Sequence, residues 1–236
     1  MTERIWGILT EGFGKILLAS IQVTIPLTII GISLAMIIAM IMAMIQYAKI
    51  PILSQIARLY IWIFRGTPLL VQLFLAYYGL PKVGIVMDAF PCAIMVFALN
   101  EGAYCSETMR SAFEAVPPGQ LEAGYCVGMS YFQIMWHVVI PQALRTAFPP
   151  LSNSLISMLK DTSLVAEITV ADMFMAAQKI VGRTYEPMWL YAEVALVYLM
   201  FSTILTLLQR RVEKRLSKYT MKNAAVQEAL PGEAAR

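Results

Sequence analysis

The chain has 236 residues, of which 59% are apolar and only 14% charged, and its mean hydropathy is +0.67. A water-soluble domain is nearer half apolar and a quarter charged, so the surplus must face lipid or other helices rather than water. A net charge of +3 suits the inner face of a membrane and excludes nucleic acid, whose binders carry basic stripes interleaved with exposed aromatics.

A bilayer core of about 30 Å takes about 20 apolar residues in a helix. The first such segment, residues 16–47, is too long for the apolar stretch of a cleaved signal peptide and lacks a small-residue cleavage site. Within it Gly31, Ala35, Ala39 and Ala43 recur every four residues, a stripe of small side chains that lets another helix approach closely. Further spans are expected over residues 53–80, 86–109, 149–168 and 188–208, with Pro51 and Pro81 in the links between the early ones. Lys160 and Asp161 interrupt the fourth. The chain therefore reads as an all-α integral membrane bundle of about five transmembrane helices over residues 1–219. The polar tail, 220–236, is expected to be disordered.

Five spans put the termini on opposite sides, and the basic residues choose between them. With the C-terminus in the cytoplasm, eleven of the eighteen Lys and Arg lie inside, seven of them from Arg210 onward, against five outside. The N-terminus is then outside. Cys92, Cys105 and Cys126 are odd in number and form no CxxC pair, so they read as small core residues.

Residues 110–148 are too polar to span and too regular for a slack loop. Pro117, Pro118 and Gly119 make a turn into a short helix over 120–127, and Gly128 fits the left-handed position that ends a helix. Ser130 and Gln133 form a capping box for a second helix over 131–139, which Pro141 is expected to stop. The hairpin presents Tyr131, Phe132, Met135 and Trp136, an apolar set that either docks into a partner's groove or packs under the bundle and in the lipid interface.

Ionisable groups within a span cost several kcal/mol unless paired or wet, so each is a functional candidate. Arg65 stands beside Gly66 and Pro68, where a helix break would free backbone groups to line a cavity; the other reading is an arginine reaching for head groups. Asn100, Tyr104 and Glu107 share a helix face, with Glu101 adjacent. For an amino-acid substrate, Glu101 or Glu107 can accept from the ammonium, while Arg65, Asn100 or Tyr104 can donate to the carboxylate. Glu107 and Arg110 can instead form a solvated pair. Lys160 and Asp161 are adjacent and point to different faces, as structural, gating or substrate groups. His137, the single histidine, reads as a packed or interfacial ring. No GxxxxGK[ST] loop, HExxH or GxSxG occurs, so an ATPase or membrane-embedded hydrolase on this chain is excluded.

Glu122-Ala123-Gly124, Gly128, Val138, Ile140 and Pro141 resemble the EAA loop of ABC importer permeases, departing at Gly124, where that family usually has Ala. Residues 64–72, FRGTPLLVQ, and 159–164, LKDTSL, are similar to segments of the polar amino-acid uptake branch. The resemblance covers roughly residues 15–215. It implies a type I permease fold and an importer for polar, charged or cystine-like amino acids that works by alternating access. The partners it implies are an ABC ATPase dimer, a second permease subunit (the same or homologous) and an extracytoplasmic amino-acid-binding protein. ATP and Mg would be held by the ATPase, leaving this chain no cofactor, metal or catalytic residue, in a bacterial inner membrane. Residues implied in coupling are Glu122, Ala123, Gly124, Gly128, Tyr131, Met135 and Pro141. The expected substrate pathway is Arg65, Thr67, Gln72, Asn100, Glu101 and Tyr104, with Glu107, Lys160, Asp161 and Ser163 as gate or structural groups. An ATP-independent carrier or channel for small polar solutes is the alternative.

Overall fold

The structure is a computed structural model that describes the backbone of residues 2–228 and the side chains of residues 3–216. Among the described residues there is no strand. Helix α1 (Thr2–Ala19) passes through a π turn at Ser20–Thr24 into α2 (Ile25–Tyr47), so the first apolar segment is one continuous element. Helix α3 (Pro51–Gly66) and α4 (Leu69–Phe74) meet at a sharp break, and α4 continues through a π turn at Leu75–Gly79. Then follow α5 (Ala89–Glu114), α6 (Pro118–Cys126), α7 (Tyr131–Ile134), α8 (Ile140–Asp161), α9 (Met173–Thr184) and α10 (Pro187–Glu228).

By length and composition two of these helices can cross a membrane, Glu3–Tyr47 and Pro187–Leu216. The α3–α4 pair, bent by 105°, counts as a third if it is one span. The expected second span is therefore not a straight helix. Helices α5 and α8, expected as spans three and four, are 26 and 22 residues long but carry Asn100, Glu101 and Asn153 within them, and α8 ends on Asp161. Helix α10 remains helical to Glu228 through the stretch expected to be disordered; the rest of that tail, 229–236, lies outside the described residues.

Two expectations at prolines are corrected. Pro141 does not stop a helix: the chain runs from α7 through a π turn at Met135–Val139 directly into α8, and Pro149 and Pro150 lie inside α8 rather than at the start of a span. A proline has no N–H and its ring crowds the carbonyl four residues back, whereas a π turn widens the coil at that point. Pro26, Pro81 and Pro141 each lie two residues beyond one of the three π turns. The short helix α9 has no counterpart in the expected spans. Its N-terminus is capped by Asp172, which accepts from Met175 N at 2.8 Å.

The main seam lies between α2 and α5, the most extensive helix pair. Gly31, Ala35, Ala39 and Ala43 are all buried in it or beside it, so the small-residue stripe packs as expected. A Cβ on Gly31 would stand 3.2 Å from Met158 Sδ of α8 and 3.6 Å from Phe97 Cβ of α5. In lipid such close backbone approach replaces the hydrophobic effect as the source of attraction between helices. At the other end, Ile16, Met173, Ala177, Val194 and Val197 form a separate buried cluster that ties α1 and α9 to α10.

Ala39 has no exposed surface, so Ala39→Leu must push the seam apart at a cost of about 1–3 kcal/mol. The expected outcome is a lower melting temperature for the detergent-purified protein, with Ile37→Leu, on the exposed face of the same helix, unchanged.

Candidate functional site

Breaking a helix inside a bundle strands its last carbonyls, and a bilayer offers no water to satisfy them. Two amide side chains do so here. Gln72 Nε2 donates to Phe64 O at 2.9 Å, Thr67 O at 3.1 Å and Thr67 Oγ1 at 2.7 Å. Asn100 Nδ2, from α5, donates to Phe64 O at 3.2 Å and to Gln72 Oε1 at 2.9 Å. Gln72 and Asn100 are only 9% and 7% exposed. Their donors are thus committed to the backbone, to Thr67 Oγ1 and to each other, and both N–H groups of Asn100 are engaged within the protein. Thr67 Oγ1 itself donates to Ile63 O at 2.9 Å, and Tyr104 OH reaches Arg65 O at 3.5 Å.

This knot forms one wall of a polar cavity of about 490 Å³. Thr67, Asn100, Glu101 and Tyr104 of the expected pathway line it, and Asp161 joins them from α8. The cavity thus holds two carboxylates, Glu101 and Asp161. Glu101 Oε1 accepts from Cys105 Sγ at 3.5 Å. The sequence reading missed Asn153, Ser154 and Ser157, which line the same cavity. With Pro150 and Asp161 they recur at helical spacing along one face of α8, which is the signal that could have found them.

The remaining candidates lie elsewhere. Lys160 and Ser163 line a separate groove with Tyr191 and Tyr198 of α10, so the adjacent Lys160 and Asp161 serve different surfaces. Ser163 Oγ donates to Lys160 O at 3.0 Å. Glu107 pairs with Arg110 at 2.9 Å, and Arg110 also holds Glu114 at 2.6 Å. The Arg65 guanidinium stands 5.3 Å from the centre of the Tyr104 ring, within cation–π range.

The hairpin of α6 and α7 forms as expected. Gly128 sits at φ +79°, in the left-handed region that favours glycine, and the Ser130–Gln133 capping box is complete. Gly124 has a packing reason: a Cβ there would stand 2.6 Å from Ile134 Cγ1, which is fully buried. Gln142 Nε2 donates to Gln120 Oε1 at 3.2 Å, fastening α6 to α8. Glu122 and Ala123 lie exposed on α6, and Pro141 in the first turn of α8. His137 is exposed, with Nδ1 3.0 Å from Gln133 O.

The apolar face differs from the expected one in one residue. Met135 is 2% exposed and packs inward with Ala39, Cys105 and Met109, so it is not available to a partner. Phe132 and Trp136, four residues apart, stack with their ring centres 6.4 Å apart and are 69% and 61% exposed. They form the outward face, flanked by Tyr131, whose phenol is pushed up by partial burial. Met135 opens the π turn Met135–Val139, where its side chain faces the bundle rather than the outward side.

Replacing Gln72 by Leu removes the side-chain donor from Thr67 O and one of the two donors to Phe64 O, and should cost about 1–3 kcal/mol, read as a lower melting temperature. Thr67→Val removes one acceptor, leaves both carbonyls capped, and is expected to cost less.

The family profile described as binding-protein-dependent transport system inner membrane component matches residues 31–218. The chain is 42% identical to the L-cystine transport system permease protein of Bacillus subtilis (strain 168) over 218 residues, 92% of this chain and 93% of the relative. It is 35% identical to the nopaline transport system permease protein of Agrobacterium fabrum, covering 84% and 86%. Among solved structures, an amino acid ABC transporter with histidines superposes with a TM-score of 0.76 at 34% identity, covering 81% of this chain and 90% of that one. The MetNI methionine ABC transporter, at 16% identity and a TM-score of 0.71 over 92% and 99%, shares the fold.

Proposed function

The chain belongs to the family of binding-protein-dependent transport system inner membrane components, and from that premise we propose that it is the membrane-spanning subunit of an ATP-driven importer for amino acids bearing two cationic groups, L-cystine foremost. The observation that supports this choice is the pairing of Glu101 and Asp161 in one polar cavity, with no Lys or Arg on its lining. Two carboxylates suit two ammonium groups, while glutamate or aspartate, with one ammonium and a second carboxylate in place of another, would meet like charge. The similarity to an L-cystine permease over nearly the full length of both chains points the same way.

In this reading the subunit works as a pair, with itself or a homologue, above two ATPase subunits, and receives substrate from an extracytoplasmic binding protein. ATP and Mg belong to the ATPase, and the N-terminus lies outside with the C-terminus in the cytoplasm. The α6–α7 hairpin inserts Phe132 and Trp136 into the ATPase. Closure of that dimer moves the hairpin, and α8, continuous with it, carries the motion to Asn153, Ser154 and Asp161 in the cavity wall. Glu101 and Asp161 hold the ammonium groups, and Gln72 and Asn100 keep the break in shape.

The test is the complex reconstituted with its ATPase and binding protein. L-cystine should stimulate ATP turnover and enter the vesicles, whereas L-glutamate should do neither. Glu101→Gln should raise the KM for uptake by about tenfold or more, the loss of one charge-assisted hydrogen bond. Stimulation by glutamate alone would sink the assignment.

At the hairpin, Trp136→Ala should weaken ATPase association by about tenfold or more, as for a truncated aromatic anchor. Co-purification yield measures it, with Ile52→Ala, exposed on α3, unaffected.

A further inference from the structure

We propose that the groove between α2, α3 and α5 is a second substrate site, one that takes the α-carboxylate and leads it from the bundle interior to the hairpin end of the molecule. This rests on the importer reading and adds to it a route and a polarity. The groove has a volume of about 580 Å³ and is lined by Lys49, Arg58, Arg65 and Arg110 against only Glu107 and Glu114. Both carboxylates are committed to Arg110. Among the described residues no Asp or Glu lies within ion-pair distance of Lys49, Arg58 or Arg65. Arg58 Nε reaches the Ser54 carbonyl, at 3.4 Å, and Arg65 stacks on the face of Tyr104, with Glu107 near enough to feel its charge but not in ion-pair contact.

The spacing of these cations decides what they are for. Ser54, Arg58, Ile61 and Arg65 follow one another along a single face of α3, a climb of about 16 Å at 1.5 Å per residue. Lys49 stands at the foot, in the link after α2. A lipid phosphate at the membrane surface can meet Lys49 but cannot follow the ladder to Arg65, which lies level with Tyr104 and the α3–α4 break. Unpaired guanidinium groups that deep are costly unless they are wet or hold an anion. A groove with three cations outside any ion pair therefore has the chemistry of a watered passage for a small carboxylate.

Its upper end meets the acidic cavity. Tyr104 lines the cavity and Arg65 lines the groove, and the two stack on each other, so the stacked pair is the partition between them. Helix α5 serves both compartments, with Glu101 and Tyr104 above and Glu107 and Glu114 below. A zwitterion is then held first by its ammonium groups. When the Arg65–Tyr104 stack parts, its carboxylate passes to Arg65, then Arg58, then Lys49.

Two measurements test this. In the reconstituted complex, Arg58→Gln should lower the kcat of L-cystine uptake about tenfold with KM unchanged, the reverse of the split expected for Glu101→Gln, and Arg58→Lys should restore most of the rate. Modification of Arg58 by p-hydroxyphenylglyoxal, read by peptide mass spectrometry on the complex in liposomes, needs no transport. It should proceed readily and be slowed about threefold by acetate, by mass action, but not by ethylammonium. Wild-type kcat in Arg58→Gln, or equal loss in the Gln and Lys variants, overturns the proposal. So does an effect that appears only in phosphatidylglycerol liposomes and vanishes in phosphatidylcholine, which would mark a lipid headgroup site. An Arg58 that resists the reagent, or that acetate does not protect, also overturns it. If the importer reading itself fails, the unmodified protein shows no ATP-dependent L-cystine uptake, whatever the state of Arg58.

Discussion

A helix that stops inside a bundle must find partners for the carbonyls it abandons, and in this protein that demand is met by two amides, Gln72 and Asn100. Phe64 O accepts from both, Thr67 O from Gln72, and the two side chains bond each other at 2.9 Å. Without them the 105° turn between α3 and α4 would leave bare peptide groups in a medium that cannot solvate them. With them, the break becomes a rigid corner. The acidic cavity lies against one side of it, and Arg65, one residue before the end of α3, lies on the other. The compartments of the site are thus consequences of where one helix ends.

The same economy governs the prolines. Three π turns precede Pro26, Pro81 and Pro141, so each proline is admitted into a continuing helical path rather than ending it. At Pro141 the result is mechanical. Had the helix ended there, a loop would have separated the hairpin from α8. Instead the backbone is helical from Tyr131 to Asp161, so Trp136 and the α8 residues that face the cavity lie on one continuous helical path. Ile134 in the Gly124 notch and Gln142 on Gln120 fix the other arm of the hairpin to that path.

Electrostatics divide along the same lines. The side chains of one face of α5 meet carboxylates and hydroxyls in one compartment and guanidinium groups in the other. A zwitterionic amino acid carries both signs, and each compartment complements one of them. A single cavity with both signs close together would let its own charges pair, as Glu107, Arg110 and Glu114 do at the end of α5; separation by the Arg65–Tyr104 stack keeps them available.

Much of this was legible in the residues. Hydropathy alone established a membrane bundle, because no other environment accommodates such a surplus of apolar side chains. The Gly31–Ala43 stripe marked the main seam, and Gly128, Ser130 and Gln133 specified the hairpin, since left-handed backbone and capping boxes are local and depend on few neighbours. Gly66 and Pro68 marked the break. What the chain could not announce was which atoms close it, for Gln72 and Asn100 are 28 positions apart and meet only when α5 packs against α3 and α4. Nor could it separate Met135 from Trp136, or Asp161 from Lys160, because neighbours on a helix point apart and only the packing of other helices decides which direction is interior. Local chemistry wrote the elements; the assignment of each polar side chain to a backbone, a partner or a cavity was made by contacts between residues distant in sequence.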